Sequence, residues 1–260
     1  MSSEFSVIRE EFNEELDAIR AVISAFADPQ IASPKARVAA INSATLLLAA
    51  TFEEFVREMA RTYARCVVRG SETFEKIPGK IAATAWTRSM EALARLQIDI
   101  KEKGASREAI VTDARARFNV VYEFCRGDLT QDIYADLIHN ENNMRPQEIN
   151  RLFKVSDLGN VCLAICNKTP LLDLFVETEQ GKTHGHLLDS LEDFFERRNQ
   201  VAHSIAIMRS SGPDLILKDI ELLSNFGWAL CETLEAVAPK PTERPATAAA
   251  AIDGHPIIRG

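Results

Sequence analysis

Apolar residues recur every three or four positions along most of the chain, which is the spacing of an amphipathic helix. Residues 3–27 show this pattern first. Their predicted core stripe is Phe5, Ile8, Phe12, Leu16, Ile19, Val22, Ile23 and Phe26. A longer helix is predicted from Pro34 to Gly70, because proline favours the first turn of a helix and glycine its end. Its predicted core face is Ile41, Leu47, Leu48, Phe52, Phe55, Met59, Tyr63 and Cys66.

The rest of the chain predicts further helices joined by short turns. They cover approximately residues 79–103, 106–126, 130–139, 146–154, 156–167, 186–204 and 216–237. Residues 168–183 contain Pro170 and Gly181 and are predicted to be a surface connection, and residues 208–214 a turn. Strands and helices do not alternate, and there is no long strand-like run. The pattern therefore predicts an all-α fold, a helical bundle with extra helices.

The composition changes after Ala238. Residues 239–260 contain four prolines and an alanine run and have no apolar stripe, so residues 238–260 are predicted to form a flexible tail. The preceding residues, 1–237, are predicted to form one all-helical domain. Within it, residues 1–30 are interpreted as an N-terminal helical extension and residues 35–237 as the core.

The charge and composition restrict the partners. The chain is 46% hydrophobic and carries a formal charge of −8, so nucleic acid binding would require a local basic patch. Its longest apolar run, residues 44–52, is too short to cross a bilayer, and residues 1–12 lack a signal-peptide core. The five cysteines are an odd, scattered set, as expected of reduced thiols. We expect a cytoplasmic protein with no membrane partner.

The segment ERRNQVAHS, residues 196–204, is where the helical pattern is broken by charge. On a helical wheel Arg198 falls within one apolar stripe, formed by Leu187, Leu191, Phe194, Val201 and Ile205. Burying a guanidinium is costly unless it is paired. We therefore expect Arg198 to face a salt-bridge partner, a subunit interface or a bound anion.

The spacing of the polar residues here leaves two interpretations open. Asn199 and His203 are four positions apart, so the amide could orient the imidazole. Arg198 and His203 are five apart and diverge by about 140° on an unbroken helix. Either the helix bends or ends here, or a second copy of the protein supplies the missing partner. The alternative is an ordinary helix end stabilised by positive charge.

Three segments together resemble the HEPN superfamily. RNQVAH, Arg198 to His203, looks like its motif of an arginine, a polar residue and a histidine. Residues 143–165 are similar to the segment upstream of that motif in the RiboL-PSP and MAE-type HEPN groups, and residues 44–60 resemble their long early helix. The resemblance covers approximately residues 35–237.

The resemblance implies a helical bundle that dimerises and cleaves RNA without a metal or other cofactor. In the nuclease members two copies of the motif face each other, and the ribose 2′-hydroxyl attacks the adjacent phosphorus. By this resemblance His203 would transfer protons, Arg198 would hold the scissile phosphate, and Asn199 would orient His203 or the substrate. The setting it implies is a toxin or antiphage defence component, with an antitoxin or regulatory protein as a further partner. The alternatives are a catalytically inactive HEPN module that binds a partner protein or nucleotide, and an unrelated helical scaffold.

Other charged residues fit either function or simple solvation. Arg57, Arg61, Arg65 and Arg69 form a row along the long helix that could follow an RNA backbone, although a solvated, ion-paired face is favoured. Arg61, Arg65 and Arg197 are assigned as nucleic-acid contacts. Glu53 or Glu54 is the candidate acidic residue that supports the motif from this helix. Glu192 and Glu196 lie on one polar stripe with His203, where a carboxylate would raise the pKa of the imidazole.

No segment predicts a metal site. His184, His186 and Asp189 lie close in sequence, but nothing nearby completes a ligand set, so a polar loop is favoured. Cys162 and Cys166, four apart on an apolar helix, are interpreted as small core residues.

Overall fold

The computed structural model describes residues 3–27, 32–102, 107–139, 142–203 and 212–242, and within these ranges it contains helices and no strand. Ten α-helices lie in these ranges: α1 Glu4–Ala27, α2 Pro34–Gly70, α3 Gly79–Glu102, α4 Arg107–Cys125, α5 Tyr134–Leu137, α6 Pro146–Lys154, α7 Val161–Ala164, α8 Thr169–Phe175, α9 Gln180–His203 and α10 Pro213–Val237. Two 3₁₀ helices cover Phe74–Lys76 and Ile165–Asn167. The prediction of an all-α bundle is confirmed.

Helix α1 packs along α2 and α10 and contributes to the main hydrophobic core. The Phe12 ring stacks on Phe55 of α2 with ring centroids 4.1 Å apart. Both rings lie against Gly227 of α10, where an added Cβ would come within 3.3 Å of Phe12 and 3.4 Å of Phe55. The apolar face of α1, which the sequence analysis assigned to an N-terminal helical extension, is therefore buried in the same core as that of α2.

An aromatic cluster joins α2 to the two last helices. Phe52 lies edge-on to Phe226 of α10 at 5.2 Å and is tilted against Phe195 of α9 at 6.2 Å. All three rings are fully buried. The cluster fixes α9 against the middle of α2, and this places the residues that follow Phe195 beside Glu53.

The predicted core stripes of α1 and α2 are correct at their centres and wrong at their edges. Leu47 is 51% exposed, whereas its neighbour Leu48 is fully buried. On α1, Val22 and Phe26 are 44% and 40% exposed. Leu47 is one residue from Leu48 and therefore about 100° away from it around the helix, which places it beside the buried face.

The prediction of a surface connection over residues 168–183 is wrong. Pro170 occupies the first turn of α8, where proline is compatible with a helix, and Leu171 is fully buried. Helix α9 begins at Gln180, six residues before the predicted start at His186. The predicted helices over 130–139 and 156–167 are shorter in the structure, as α5 and α7. Of the predicted turn at 208–214, residues 208–211 lie outside the described residues, and Pro213 begins α10.

Helices α3 and α4 form a hairpin at the side of the bundle. In α4 the described side chains that are buried are Val121 and Phe124, so most of this helix faces solvent. The inner edge of the hairpin lies against α5, where Ser89 donates a hydrogen bond to Asp136 at 2.9 Å. A cleft opens between the hairpin, α5 and α6.

The chain beyond α10 returns to the end of α2. An added Cβ at Gly70 would lie 2.6 Å from Cβ of Pro239, and the amide of Thr242 donates to the carbonyl of Arg69 at 3.3 Å. These contacts involve only residues 238–242 of the predicted tail. The remainder of that tail, residues 243–260, lies outside the described residues.

Among the described helices, α2 is long and apolar enough to cross a membrane, judged by length and composition alone. The core helix of a soluble protein meets the same criterion. In this fold α2 contributes to the bundle core through Phe52, Phe55 and Met59, each less than 5% exposed.

Candidate functional site

The motif predicted from the sequence lies at the C-terminal end of α9. This helix is continuous from Gln180 to His203 and buries Leu187, Leu191, Phe194 and Phe195. The first three were predicted as its apolar stripe. Val201 is half-buried, and Ile205 lies outside the described residues. Both Arg198 and His203 lie on the continuous helix α9, whose assigned end is His203 itself.

Arg198 is half-buried and faces the carboxylate of Glu53 on α2. Burial raises the pKa of Glu53, and the opposing charges of Arg198 and Arg57 lower it in part, as does the backbone amide of Met144. Arg198 Nε and Glu53 Oε1 are both buried with no hydrogen-bond partner among the described residues. The charges of Arg198 and Glu53 thus act on each other without an ion pair within 4.0 Å, and Arg198 Nε retains its donor capacity. Of the two acidic candidates on α2, Glu53 is the one near the motif, whereas Glu54 is exposed.

Asn199 binds Asn143, a residue that the sequence did not single out. The Asn199 side-chain oxygen accepts a hydrogen bond from Asn143 Nδ2 at 2.8 Å and another from Arg198 Nη1 at 3.3 Å. The amide oxygen is therefore directed towards Arg198 and the segment before α6. Asn143 opens the segment 143–165 that resembles the upstream part of HEPN domains, and that position was the one available signal for it.

His203 is the last residue of α9 and is exposed. It lies five positions beyond Arg198, so the two side chains are displaced by about 7.5 Å along the helix axis and by about 140° around it. Within one chain the motif therefore presents a half-buried cation and an exposed imidazole in different directions.

Arg145 forms ion pairs with Glu192 and Glu196, the two carboxylates that were predicted to interact with the imidazole of His203. It forms an ion pair with Glu192 and contacts Glu196 Oε2 at 3.4 Å. The segment before α6 thus contacts α9 at two points, through Arg145 and through Asn143. Arg145 was also missed from the sequence, because its partners lie about fifty positions away along the chain.

Arg197, which the sequence analysis assigned as a nucleic-acid contact, points to α10. Its Nη2 donates to Asp219 Oδ1 at 2.5 Å, and Asp219 is only 5% exposed. Burial raises the pKa of Asp219, and the charge of Arg197 counteracts this. The geometry gives Arg197 a structural role, which is to fasten α9 to α10 just before the motif.

The α2 arginine row (Arg57, Arg61, Arg65 and Arg69) is ion-paired throughout. The pairs are Arg57–Glu54 at 2.8 Å, Arg61–Glu54 at 3.0 Å, Arg61–Glu58, Arg65–Glu4 at 3.4 Å and Arg69–Glu4 at 3.1 Å. Arg65 also lies over the ring of Tyr134, 5.3 Å from its centroid. The structure therefore favours the ion-paired interpretation of Arg61 and Arg65 over the nucleic-acid interpretation.

Within the described residues no group of three or more His, Cys, Asp or Glu side chains is placed to hold a metal ion. The segment with His184 and His186 forms the first turns of α9, so the predicted polar loop is wrong. His186 stacks on Phe175 at 5.6 Å and lies 3.4 Å from Glu177. Cys162 and Cys166 are fully buried, as predicted, and burial raises the pKa of Cys166 to about 12.

Comparison with known families identifies one match. The family model described as RiboL-PSP-HEPN matches residues 10–237, which include every residue of the α9 motif and its partners in the bundle. No curated protein and no solved structure matches the chain.

Proposed function

The chain belongs to the RiboL-PSP-HEPN family, and on that premise we propose that it is a metal-independent RNA endonuclease that acts as a homodimer. The observation that carries the proposal is the state of Arg198. A guanidinium held half-buried at a helix end, with Nε unpartnered, is prepared to accept an anion. Arg61 also has a buried Nε without a partner, but its Nη1 pairs with Glu54 and Glu58, and Arg197 pairs with Asp219. Arg198 differs because none of the described carboxylates forms an ion pair with it within 4.0 Å.

The reaction follows from the chemistry of these side chains. His203 accepts the proton of a ribose 2′-hydroxyl, because histidine is the side chain that most often transfers protons in enzymes. The 2′-oxygen then attacks the adjacent phosphorus and the bond to the 5′-oxygen breaks, which leaves a cyclic phosphate and, after protonation, a free 5′-hydroxyl. Arg198 binds the phosphate and stabilises the charge that develops on it. DNA lacks the attacking hydroxyl, so RNA is the substrate.

The dimer accounts for the divergence of Arg198 and His203. Because α9 is unbroken, one chain cannot direct both side chains at one phosphate. A two-fold axis places the same patch of each copy opposite the other, so that groups from both copies meet. The composite site would contain two imidazoles, of which one removes the 2′ proton and the other protonates the leaving 5′-oxygen.

Cleavage of a mixed cellular RNA pool in EDTA tests this proposal. Wild-type protein should release fragments with cyclic phosphate ends, whereas His203→Ala and Arg198→Ala should each lose activity by about 10²-fold or more. His186→Ala is the matched control, because it removes an exposed histidine from the opposite end of the same helix. Activity per molecule should also fall on dilution, as dimers dissociate.

Two results would overturn the proposal. Identical fragments from wild type and both motif variants would mean that another nuclease is responsible. Dimers of wild type that leave RNA intact would instead indicate a catalytically inactive HEPN binding module, in which Glu53 permanently compensates Arg198.

We further propose that the enzyme is a toxin or antiphage defence component under the control of a partner protein, a setting suggested by the family alone. Induced expression should then arrest growth of a bacterial host, and His203→Ala should relieve the arrest at equal protein level. Growth arrest by both proteins would contradict this proposal.

A further inference from the structure

Three consecutive residues before α6, at positions 143–145, hold the surroundings of the motif. The side chain of Asn143 donates to Asn199 Oδ1 at 2.8 Å. The backbone amide of Met144 hydrogen-bonds to the carboxylate of Glu53, and the Met144 side chain is fully buried. Arg145 forms ion pairs with two carboxylates of α9, and its amide donates to the carbonyl of Asn143 at 2.8 Å. The 143–145 segment is therefore anchored to α2 and to α9, the helices that carry Glu53 and the motif.

The side-chain amide of Asn199 has one orientation that its neighbours accept. An arginine guanidinium carries hydrogen-bond donors and no acceptor. The Asn199 atom that lies 3.3 Å from Arg198 Nη1 must therefore be the oxygen. Because the same oxygen faces Asn143 at 2.8 Å, the atom of Asn143 that reaches it must be the amide nitrogen. Arg198 thus sets the direction of both hydrogen bonds.

These two hydrogen bonds determine what Asn199 can still bind. A carbonyl oxygen has two lone pairs, and both are engaged here, so this oxygen is not available to accept a proton from His203. The nitrogen, Asn199 Nδ2, donates to no acceptor in the part of the chain that the structure describes. Arg198 Nε is likewise a buried donor without a partner there. Two adjacent side chains therefore offer N–H donors, the groups that phosphate oxygens accept.

Asn143 supplies the better of the two hydrogen bonds that hold Asn199. Its distance of 2.8 Å lies within the usual range for an N–H donor to oxygen, whereas the 3.3 Å from Arg198 Nη1 lies beyond that range. Asn143 also comes from outside α9, 56 positions away along the chain. It can therefore fix the amide of Asn199 while Arg198 moves to bind an anion.

We propose that Asn143 is a positioning residue, which holds the Asn199 oxygen so that Asn199 Nδ2 and Arg198 donate together to the scissile phosphate. This inference rests on the proposed function for the identity of the substrate. Asn143 does not touch the RNA and acts through Asn199. A donor that is oriented before the substrate arrives needs no reorganisation as negative charge develops on the phosphate. The contact between Asn143 and Asn199 thus contributes to turnover more than to the stability of the bundle.

A double-mutant cycle tests the inference, with kcat and KM for RNA cleavage measured for Asn143→Ala, Asn199→Ala and the double variant. Each single substitution should lower kcat by about tenfold to a hundredfold, the effect of losing one hydrogen bond to a charged group. KM should change little, since the bond is strongest in the transition state. Because Asn143 acts through Asn199, the double variant should be no slower than Asn199→Ala alone.

Two further variants separate positioning from a merely structural role. Asn142→Ala removes the adjacent, exposed asparagine, which donates to Glu148 at 3.3 Å, and it should leave kcat unchanged. Asn143→Asp replaces the donor with a carboxylate that only accepts, which would turn the Asn199 amide around and attract Arg198. It should therefore lower kcat more than Asn143→Ala does. Thermal unfolding of every variant should give a melting temperature near that of wild type.

The outcome is separable from that of the proposed function. Additive losses in the cycle, or an unchanged kcat for Asn143→Ala, would overturn the inference while wild type still cleaves RNA. If wild type leaves RNA intact, the proposed function fails, and the same cycle is measured as affinity for a fluorescent single-stranded RNA by anisotropy. Coupled losses of affinity would then support Asn143 as the residue that directs Asn199 at a phosphate. Additive losses, or none, would overturn that role as well.

Discussion

The α2 arginine row and the arginine cleft, which is lined by Arg88, Arg95, Arg117 and Arg151 between α3, α4, α5 and α6, contain four arginines each, yet they differ in the kind of partner. Every arginine of the row has a glutamate partner, and Glu4 and Glu54 each serve two of them. In the cleft, Arg117 pairs with Asp136 and Arg151 with Glu148, whereas Arg88 donates to a backbone carbonyl. Regular helical spacing of arginines therefore does not make an anion-binding surface, because neighbouring turns of α2 and the start of α1 supply the counter-charge.

Arg197 and Arg198 differ more sharply, at adjacent positions of α9. Arg197 is satisfied by Asp219, which is nearly fully buried. Arg198 is influenced by the charge of Glu53, but none of the described carboxylates forms an ion pair with it within 4.0 Å. An ion-paired carboxylate, more than a place in a motif, indicates that an arginine stabilises the fold, and its absence indicates that the arginine is available to a ligand.

The largest effect that would sharpen this comparison is expected on stability. Arg197→Gln leaves the buried carboxylate of Asp219 without its cation, which should cost about 2 to 3 kcal/mol of unfolding free energy. For a chain of this size the melting temperature should fall by about 5 to 10 °C. Arg69→Gln in the row is the control, and it should cost less than about 1 kcal/mol because Arg69 and its partner Glu4 are both more than half exposed. Similar melting temperatures for both variants would remove the distinction.

The smallest effect concerns Glu53, because the charge of this carboxyl determines whether Arg198 is compensated or is available to an anion. Burial raises the pKa of Glu53 above its ordinary value of 4.5, so the carboxyl becomes neutral as pH falls through that raised value. Arg198 is then uncompensated and should bind phosphate more tightly, whereas at higher pH the ionised carboxylate competes with the ligand. RNA affinity of the His203→Ala protein should rise by about two- to fivefold as pH falls, consistent with a partly screened ion pair.

Adding Glu53→Gln to that protein should abolish this part of the pH dependence and hold affinity near its low-pH level. Glu54→Gln, an exposed carboxylate on the same turn of α2, is the control and should retain the dependence. A pH profile that Glu53→Gln leaves unchanged would show that Glu53 does not govern the anion affinity of Arg198.

The sequence predicted the long helices well because their stripes are long and regular. Helix α2 was predicted with both of its bounds, since Pro34 and Gly70 have local conformational preferences that do not depend on tertiary contacts. Helix α8 was missed because it is short and because Pro170, which looks like a breaker, occupies its first turn. Exposure of Leu47 was missed because an apolar residue beside the core stripe cannot be told from one within it.

The candidate site was predictable only where its signal was local. Arg198, Asn199 and His203 share one helix, so their spacing could be judged from the sequence. Asn143 and Arg145 could not be paired with α9 in advance, since their partners are 47 to 56 positions away. The arginine cleft was invisible for the same reason, because its residues converge from three helices only once the chain has folded.

Because α1 packs against α10, the order of synthesis of the helices affects when the bundle can assemble. Phe12 lies against Gly227, and the motif helix is fastened through Asp219, so both contacts wait for the last helix. During synthesis α10 follows α1 by about 200 residues, on the order of 10 to 40 s at usual elongation rates. A nascent chain that lacks α10 therefore has neither the Arg197–Asp219 ion pair that fastens the motif helix nor the packing of Phe12 against Gly227. The order of the helices along the polypeptide delays assembly of the proposed nuclease site until translation of the bundle is complete.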